Sequence, residues 1–256
     1  MRVTILGSGT SLGVPVIGCD CPVCRSGNPR NNRTRASILV QSRRQNLLVD
    51  VPPDFRAQAL RENLRSLDAV FITHDHADHI SGLDDLRIFC FYTGQPIRIY
   101  SNQRVKDFIE HRFFYAFDPP QVGGGVPALD LQVLTDPITL GDIRVTPVPV
   151  YHGRVEILAF RFNDFAYATD CSSMPEAGKA QLKALKVLVL DALRRQPHPT
   201  HLSLDEAVAL ARELAAERTY LTHMAHDLDH DETNRSLPAS IQLAYDGLRI
   251  MIDDGA

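Results

Sequence analysis

Short runs of Val, Ile and Leu recur along the chain with turn residues between them, a pattern that is typical of β-strands. The predicted strands cover residues 2–6, 36–41, 45–50, 69–72, 97–100, 131–134, 143–150, 156–161, 165–169, 187–190, 220–221 and 248–252. We expect the early strands to pair as hairpins and helices to lie between the later ones.

Segments with apolar residues at helical spacing predict fewer helices than strands. The clearest covers residues 203–217, where Ser203 and Glu206 predict a capping box at the first turn. Ser173 and Glu176 predict the same arrangement at the start of a second helix. Two further helices are predicted at residues 55–63 and 102–112.

This order of elements is compatible with two α/β architectures. Two sheets covered by outer helices would bury the apolar faces, and a single mixed sheet would also do so. A chain of 256 residues is long enough for one sizeable core, so we expect a single domain over residues 1–256. The Gly- and Pro-rich stretch 118–127 is expected to form either a lid or rim, or an excursion without fixed structure.

Composition and charge indicate an ordinary surface. The chain is 44% hydrophobic with a net charge of -4, so nucleic acid is not an expected partner, although a local basic patch is not excluded. No apolar run approaches the roughly 20 residues of a membrane-spanning helix. The first residues resemble a strand and not a secretory signal, so we expect a cytoplasmic protein with no membrane partner.

The segment Thr-His-Asp-His-Ala-Asp-His at residues 73–79 concentrates potential metal ligands directly after an apolar strand. It offers His74, His76, Asp78 and His79, and imidazole together with carboxylate suits Zn²⁺, Mn²⁺ or Fe²⁺. A polar loop that happens to contain histidines is the alternative. The density of ligand-type side chains favours a metal site.

Three more ligand-type residues follow apolar strands further along the chain. They are His152, Asp170 and His223, each just past a predicted strand. Each of them alone would be an ordinary turn residue. Their shared position indicates a site built along one edge of the sheets. The loop at residues 73–79 offers four ligands, which alone would not complete a two-metal site.

The five cysteines are unevenly spaced, and three of them lie close together as Cys19, Cys21 and Cys24. An odd count without an export signal argues against a disulfide framework and favours a metal site. A tetrahedral zinc site needs a fourth ligand, and His226, three residues after His223, is a candidate. Reduced thiols in a loop are the alternative.

The spacing His74-x-His76-x-Asp78-His79, followed by His152, Asp170 and His223, resembles the metallo-β-lactamase superfamily. The resemblance implies an αββα sandwich and two divalent active-site metals. It implies that His74, His76 and His152 hold one metal, that Asp78, His79 and His223 hold the other, and that Asp170 bridges them. Asp50 would be the aspartate that supports the histidine loop from behind.

The Cys-x-Cys-x-x-Cys cluster, combined with His-x-x-His near the end of the chain, is similar to the PhnP-like cyclic phosphodiesterase branch. That similarity implies manganese or zinc in the active-site pair and one structural zinc on Cys19, Cys21, Cys24 and His226. It also implies that His201 is the general acid, with Asp78 and Asp170 in the catalytic centre. His198, in the same loop as His201, is interpreted as an exposed loop histidine.

The resemblance implies a phosphodiesterase for a small cyclic phosphate or nucleotide-like ester, of the phosphoribosyl 1,2-cyclic phosphate type. A water activated by the two metals would attack phosphorus, and His201 would protonate the leaving group. The alternatives are a tRNase Z-like nuclease, a thioester or lactone hydrolase, and a metal-containing binding module without catalysis. The expected partner is a small phosphodiester, and a homodimer is one option for the assembly.

Overall fold

The computed structural model describes residues 1–118 and 125–253, and within them two β-sheets pack face to face. The strands are β1 (Arg2–Gly7), β2 (Ser37–Gln41), β3 (Asn46–Val49), β4 (Ala69–Phe71), β5 (Ile97–Ser101), β6 (Leu129–Val133), β7 (Ile138–Leu140), β8 (Ile143–His152), β9 (Val155–Phe162), β10 (Phe165–Ala168), β11 (Val187–Asp191), β12 (Arg218–Thr222), β13 (Ile241–Leu243) and β14 (Arg249–Met251).

The two sheets have the same number of strands and a similar mixed arrangement. In the described part of the chain, one sheet has the order β14-β1-β2-β3-β4-β5-β6 and the other has the order β13-β12-β11-β10-β9-β8-β7. The neighbouring strands from β3 to β6 and from β10 to β13 are parallel, and the other neighbouring pairs in the two sheets of the described residues are antiparallel. Parallel neighbours place their carboxyl ends at the same edge, which positions the functional site.

Helices cover the outer faces of the two sheets. They are α1 (Phe55–Arg61), α2 (Ala77–Ile80), α3 (Arg87–Thr93), α4 (Gln103–Arg112), α5 (Glu176–Gln181), α6 (Leu204–Leu214) and α7 (His230–Ser236). Alternation along β3 explains the layers, because Leu47 and Val49 face the opposite sheet while Leu48 packs with α1 and its neighbours. Helix α6 packs its apolar face on the other sheet in the same way. The molecule is therefore an αββα sandwich, and the alternative of a single mixed sheet is wrong.

Local signals in the sequence predict some element ends better than others. The capping box of Ser203 and Glu206 is confirmed, and α6 ends at Leu214 because Ala215 takes a left-handed conformation with φ 54°. The predicted cap of Ser173 on α5 is wrong. Pro175 occupies the N-cap position without a side-chain hydrogen bond, and the carbonyl of Ser173 instead accepts from the backbone N–H of Tyr151.

Several elements were not predicted because they are short. Strands β7 and β13 have three residues each, α2 has four, and α3 and α7 have seven each, all shorter than the window over which periodicity is readable. The three-residue strands β4 and β14 were predicted from their apolar composition instead. The proposed lid or rim at 118–127 falls largely on residues 119–124, which lie outside the described residues. No helix in the described part of the chain is long and apolar enough to cross a membrane. The single domain over 1–256 stays a prediction.

Candidate active site

The carboxyl ends of strands from both sheets meet at one edge of the sandwich. Asp50 follows β3, His152 ends β8, Asp170 follows β10, and His223 follows β12. The loop that contains α2 follows β4 and brings in its own histidines and Asp78. Each of these side chains is buried or half-buried except His76, which is exposed at the mouth of the site.

Asp170 lies at the centre of this cluster and is buried. Its carboxylate oxygens lie 3.2 Å from His79 Nε2, 3.2 Å from His223 Nε2 and 3.7 Å from His74 Nε2. Around it the ligand atoms form two groups, each with all atoms within 4.8 Å of one another. The first group is His74, His76, His152 and Asp170, and the second is Asp78, His79, Asp170 and His223. The structure thus brings all seven predicted residues together, with Asp170 in both groups.

The buried imidazole nitrogens fit a pair of metal ions. Among the described residues, Nε2 of His74, His79 and His223 is buried and has no hydrogen-bond partner. A buried polar atom without a partner is costly, and three of them beside one carboxylate indicate cations between them. Burial lowers the pKa of His74 well below its usual range, which keeps the ring neutral as metal ligation requires.

A network behind the loop orients two of these rings. Thr73 donates to the Asp50 carboxylate from its backbone N–H at 2.9 Å and from its hydroxyl at 2.9 Å. Asp50 Oδ2 also lies 2.7 Å from His79 Nδ1, so this nitrogen donates and Nε2 is left to face Asp170. Because the Thr73 hydroxyl has one proton, His74 Nδ1 donates to its oxygen at 2.9 Å and Nε2 of His74 keeps its lone pair.

His152 is oriented by backbone carbonyls. Its Nδ1 lies 2.8 Å from the carbonyl oxygen of Thr200 and 2.9 Å from that of Asp170. Carbonyl oxygens only accept, so Nδ1 holds the proton and Nε2 holds the lone pair. The loop around Thr200 therefore fixes the tautomer of this histidine, a contact that the sequence did not indicate.

Three residues of the site have a left-handed backbone. Asp50, Asp170 and His223 have φ of 62°, 55° and 60°. Such conformations cost a non-glycine residue about 1–2 kcal/mol, and they let the chain turn sharply at a strand end.

The segment after His223 is held by backbone hydrogen bonds, with Met224 N donating to Ser8 O at 3.0 Å and Thr10 N donating to Met224 O at 3.1 Å.

The second cluster also has the geometry of a metal site. His226 Nδ1 lies 3.2 Å from Sγ of Cys19, 3.6 Å from Sγ of Cys21 and 3.3 Å from Sγ of Cys24. Tetrahedral ligation by zinc would place sulfur and nitrogen ligands about 3.5 Å apart. The backbone N–H of Cys24 points at Sγ of Cys21 and lowers the pKa of that thiol. Burial raises the pKa of Cys24 to about 11, although the backbone N–H of Val16 that points at its sulfur opposes this effect. All four atoms could hold one zinc ion.

A buried arginine holds the loop that contains His226. The Arg33 guanidinium donates to the carbonyls of Ala225 and Leu228, which lie on either side of His226. Burial lowers the pKa of Arg33 to about 10, opposed by nearby Asp246 and Asp229. Nothing in the sequence marked this arginine, because the two carbonyls that it contacts lie almost 200 positions away.

Comparison with known families agrees with this geometry. A family model described as the Beta-lactamase superfamily domain matches residues 45–224, a range that includes every member of the seven-residue cluster. The chain belongs to the metallo-β-lactamase superfamily. A crystal structure of a diphosphatase from the PhnP family is 47% identical, with a TM-score of 0.92 over 98% of this chain and 97% of that chain. The chain is thus a PhnP-like member of the superfamily, as its cysteine cluster predicted.

Two further relatives resemble this chain either over part of their own length or at low sequence identity. An octanoyltransferase from Porphyromonas gingivalis (strain ATCC BAA-308 / W83) is 38% identical over 99% of this chain, but the match covers 52% of that protein. The chain spans about half the length, or less, of the first curated relatives it matches. Zinc-bound PqqB from Methylobacterium extorquens has a TM-score of 0.80 at 21% identity over 98% of this chain and 100% of that chain, which shows the shared fold alone. The superfamily and the two clusters together support a metal-dependent hydrolase.

His201 lies beside the superfamily ligand cluster and not inside it. Its Nδ1 is 3.3 Å from Asp191 Oδ1, and its Nε2 is 4.0 Å from Asp170 Oδ2. The ring stacks on His223 with centroids 4.9 Å apart. Asp191 accepts from the backbone N–H of Leu202 at 3.0 Å, and burial raises its pKa although His201 and His223 oppose this effect. The sequence left two roles open for Asp191, to orient a ligand histidine or only to end a strand, and its Oδ1 lies 3.6 Å from Nδ1 of His223.

Proposed function

We propose that this protein is a metal-dependent phosphodiesterase, and the observation that carries this proposal is the position of Asp170. One buried carboxylate lies within 3.7 Å of Nε2 of three buried histidines that otherwise lack hydrogen-bond partners in the described residues. Such an arrangement suits a shared ligand of two cations and serves no evident purpose in a metal-free core.

We propose that the metal ligands are the members of the two groups of ligand atoms that share Asp170. His74, His76 and His152 would hold one divalent ion, Asp78, His79 and His223 would hold the other, and Asp170 would contact both. Two such ions, manganese or zinc, would lower the pKa of water to near neutrality and would neutralise phosphoryl oxygens. Asp78 and Asp170 are therefore the carboxylates of the catalytic centre in this proposal.

His201 would be the general acid. Asp191 accepts from Nδ1–H, which leaves Nε2 directed toward Asp170 and the centre of the site. A proton held at Nε2 can be donated to the oxygen of a departing alkoxide, which is a poor leaving group when it is unprotonated. Asp191 would hold the ring in place and fix the hydrogen on Nδ1, because a carboxylate oxygen only accepts.

The cysteine cluster would hold one structural zinc through Cys19, Cys21, Cys24 and His226. Because His226 lies three residues after His223, this ion would fix the segment that supplies an active-site ligand. Its proposed role is therefore positioning, and it would not contact the substrate.

The substrate we propose is a small phosphodiester, either a cyclic phosphate of the phosphoribosyl 1,2-cyclic phosphate type or a nucleotide-like ester. The diphosphatase name of the 47% identical relative supports hydrolysis at phosphorus. The octanoyl transfer named for the Porphyromonas relative is not part of the proposal, because the match leaves almost half of that protein uncovered. No feature of the described site favours RNA processing or lactone hydrolysis over a small phosphodiester.

A three-substrate panel tests this function. We would assay bis(p-nitrophenyl) phosphate, a lactone and a thioester with the wild type, with Asp170→Ala and with Asp107→Ala, an exposed carboxylate on α4 as the matched control. We expect phosphodiester cleavage that Asp170→Ala reduces by at least about 100-fold and that Asp107→Ala leaves unchanged. A metal-loaded wild type that hydrolyses only the lactone or the thioester would contradict the proposal.

A further inference from the structure

A cavity of about 560 Å³ is lined by residues of α7 and β13 and by side chains from neighbouring loops. Pro238 and Leu248 belong to its apolar wall, and Arg30, His230 and Arg235 contribute polar groups. The cavity shares no residue with the metal-ligand clusters found in the described part of the chain. Sites for small organic molecules have volumes of about 300–1,000 Å³, so this cavity is large enough for one.

His230 offers an unused hydrogen-bond donor to the cavity. The side chain is 3% exposed, and burial lowers its pKa to about 4, so the ring is neutral at pH 7. Nδ1 is buried without a hydrogen-bond partner among the described residues, whereas Nε2 also lacks a partner there but is not enclosed. A hydrogen on the enclosed Nδ1 would be left unsatisfied, so the ring carries its hydrogen on Nε2, where a molecule in the cavity can accept it.

Two arginines give the cavity an excess of positive charge. Arg235 is exposed, and within the part of the chain that the structure describes its guanidinium has neither an ion pair nor a hydrogen bond. The Arg30 guanidinium lies 4.9 Å from the ring centroid of Tyr245. Asp231 is the one carboxylate among the described lining residues, and it accepts from Asn28 Nδ2 at 3.0 Å and lies 3.9 Å from Arg30 Nη1. One carboxylate against two guanidiniums leaves positive charge for an anion.

Two asparagines hold the walls of the cavity in place. Asn234 Oδ1 accepts from the backbone N–H of Leu243 at 2.8 Å, and its Nδ2 donates to the carbonyl of His230 at 2.9 Å, which ties β13 to α7. Asn31 Oδ1 accepts from the backbone N–H of His230 at 2.9 Å, and its Nδ2 donates to Asp229 at 2.7 Å. Walls that are already held lose little conformational freedom when a ligand binds.

We propose that this cavity binds an organic phosphate, a phosphate monoester on a partly apolar body, at a second site apart from the metal centre. A phosphate monoester carries about −1.5 to −2 charges near pH 7, which matches two guanidiniums better than a carboxylate does. The free guanidinium of Arg235 can hold the phosphate with two parallel hydrogen bonds, and Arg30 adds a second positive charge. His230 Nε2–H donates to the same ligand. The binding site does not depend on which reaction occurs at the metal centre.

A tryptophan reporter tests this site, because the chain has no tryptophan of its own. Ala239 is exposed and lines the cavity, so Ala239→Trp places an indole at the rim without requiring buried space. We expect adenosine 5′-phosphate to change the fluorescence saturably and to bind about tenfold more tightly than either adenosine or inorganic phosphate. Equal affinities for adenosine 5′-phosphate and adenosine, or for adenosine 5′-phosphate and inorganic phosphate, would overturn the proposal.

The contribution of Arg235 is measured in the same reporter protein. Arg235→Gln should remove most of the preference for adenosine 5′-phosphate over adenosine. Arg98→Gln is the matched control, because Arg98 is an exposed arginine on β5 of the other sheet and likewise has no partner among the described residues. It should keep the preference. An equal loss in the two variants would show an effect of overall charge and would overturn the proposal.

The metal centre could bind the same phosphate, and Asp170→Ala in the reporter protein separates the two sites. The fluorescence titration should be unchanged, because Asp170 does not line the cavity. A lost fluorescence change would assign the ligand to the metal centre and overturn the proposal.

Calorimetry on the metal-loaded protein with its native Ala239 needs no reporter. Arg235→Gln should weaken one binding site for adenosine 5′-phosphate about tenfold relative to the wild type. Identical binding curves for the wild type and Arg235→Gln would overturn the proposal.

Discussion

Asp191 and His201 face each other with Oδ1 of the carboxylate 3.3 Å from Nδ1 of the imidazole. The same oxygen lies 3.6 Å from Nδ1 of His223, so one buried carboxylate contacts both a candidate general acid and a candidate metal ligand. The Asp191 side chain thereby orients both His201 and His223, which lie about 20 positions apart in the sequence.

Replacement of Asp191 by asparagine should lower kcat with little effect on KM. The amide keeps the size of the carboxylate but lacks its charge, so the hydrogen bond that orients His201 through Nδ1 is weakened. Supporting residues of this kind contribute about 10- to 100-fold, so we expect a loss in that range. Steady-state kinetics and metal content should be measured together, and an unchanged kcat with unchanged metal content would show that Asp191 has no orienting role.

The role of His201 can be separated from binding by the choice of leaving group. His201→Gln should reduce cleavage of an alkyl phosphodiester by about 100-fold or more, because an alkoxide needs a proton to depart. A 4-nitrophenyl ester should be affected far less, since nitrophenolate leaves without one. The ratio of the two rates is the measurement, and an equal loss on both esters would argue for a role in binding or folding.

The cysteine site should lose its metal independently of the active site. Cys21→Ser removes one of three sulfurs that lie within 3.6 Å of His226 Nδ1. We expect mass spectrometry to show one fewer zinc per chain with the other metals retained, together with a lower melting temperature. Cys90→Ala is the control, since Cys90 is buried away from this cluster and should keep the wild-type metal content. Unchanged zinc in Cys21→Ser would contradict a structural site.

His230 should make the protein less stable in mild acid. Its side chain is buried, and burial together with the charges of Arg30 and Arg33 lowers its pKa to about 4. The unfolded chain takes up a proton near pH 6.5 and the folded chain does not, so stability falls as the pH drops from about 6.5 to about 4.

The measurement for His230 is the free energy of unfolding in urea at several pH values. Within that window the slope for the wild type should exceed that of His230→Gln by up to about 1.4 kcal/mol per pH unit, the value for one proton. His111, in the last turn of α4 on the surface, provides the control as His111→Gln. Equal slopes for the wild type and His230→Gln would show that His230 titrates normally.

The ligand cluster could be predicted from the sequence because its residues stand close together or directly follow apolar strands. His74 to His79 stand together after an apolar strand, and His152, Asp170 and His223 each follow one, so strand ends alone indicated where they would meet. The short apolar run of β3 likewise predicted a strand, although the choice between one sheet and two needed the structure.

Long-range contacts could not be predicted in the same way. Arg33 acts through backbone carbonyls almost 200 positions away, and no recognisable spacing marks it. The capping pair at Ser173 and Glu176 had the right residue types, but the backbone of Ser173 is used by the neighbouring strand residue Tyr151. Local preference was overridden there by tertiary pairing.

The two-metal site can be tested most directly by the metal content of the purified protein, measured beside its phosphodiesterase activity before and after chelation. We predict about three metal ions per chain, two in the active-site pair and one zinc on the cysteines. Chelation should abolish cleavage of bis(p-nitrophenyl) phosphate, and added Mn²⁺ or Zn²⁺ should restore it. A protein that cleaves the ester equally well without metal, or that binds no metal at the Asp170 cluster, would contradict the central claim.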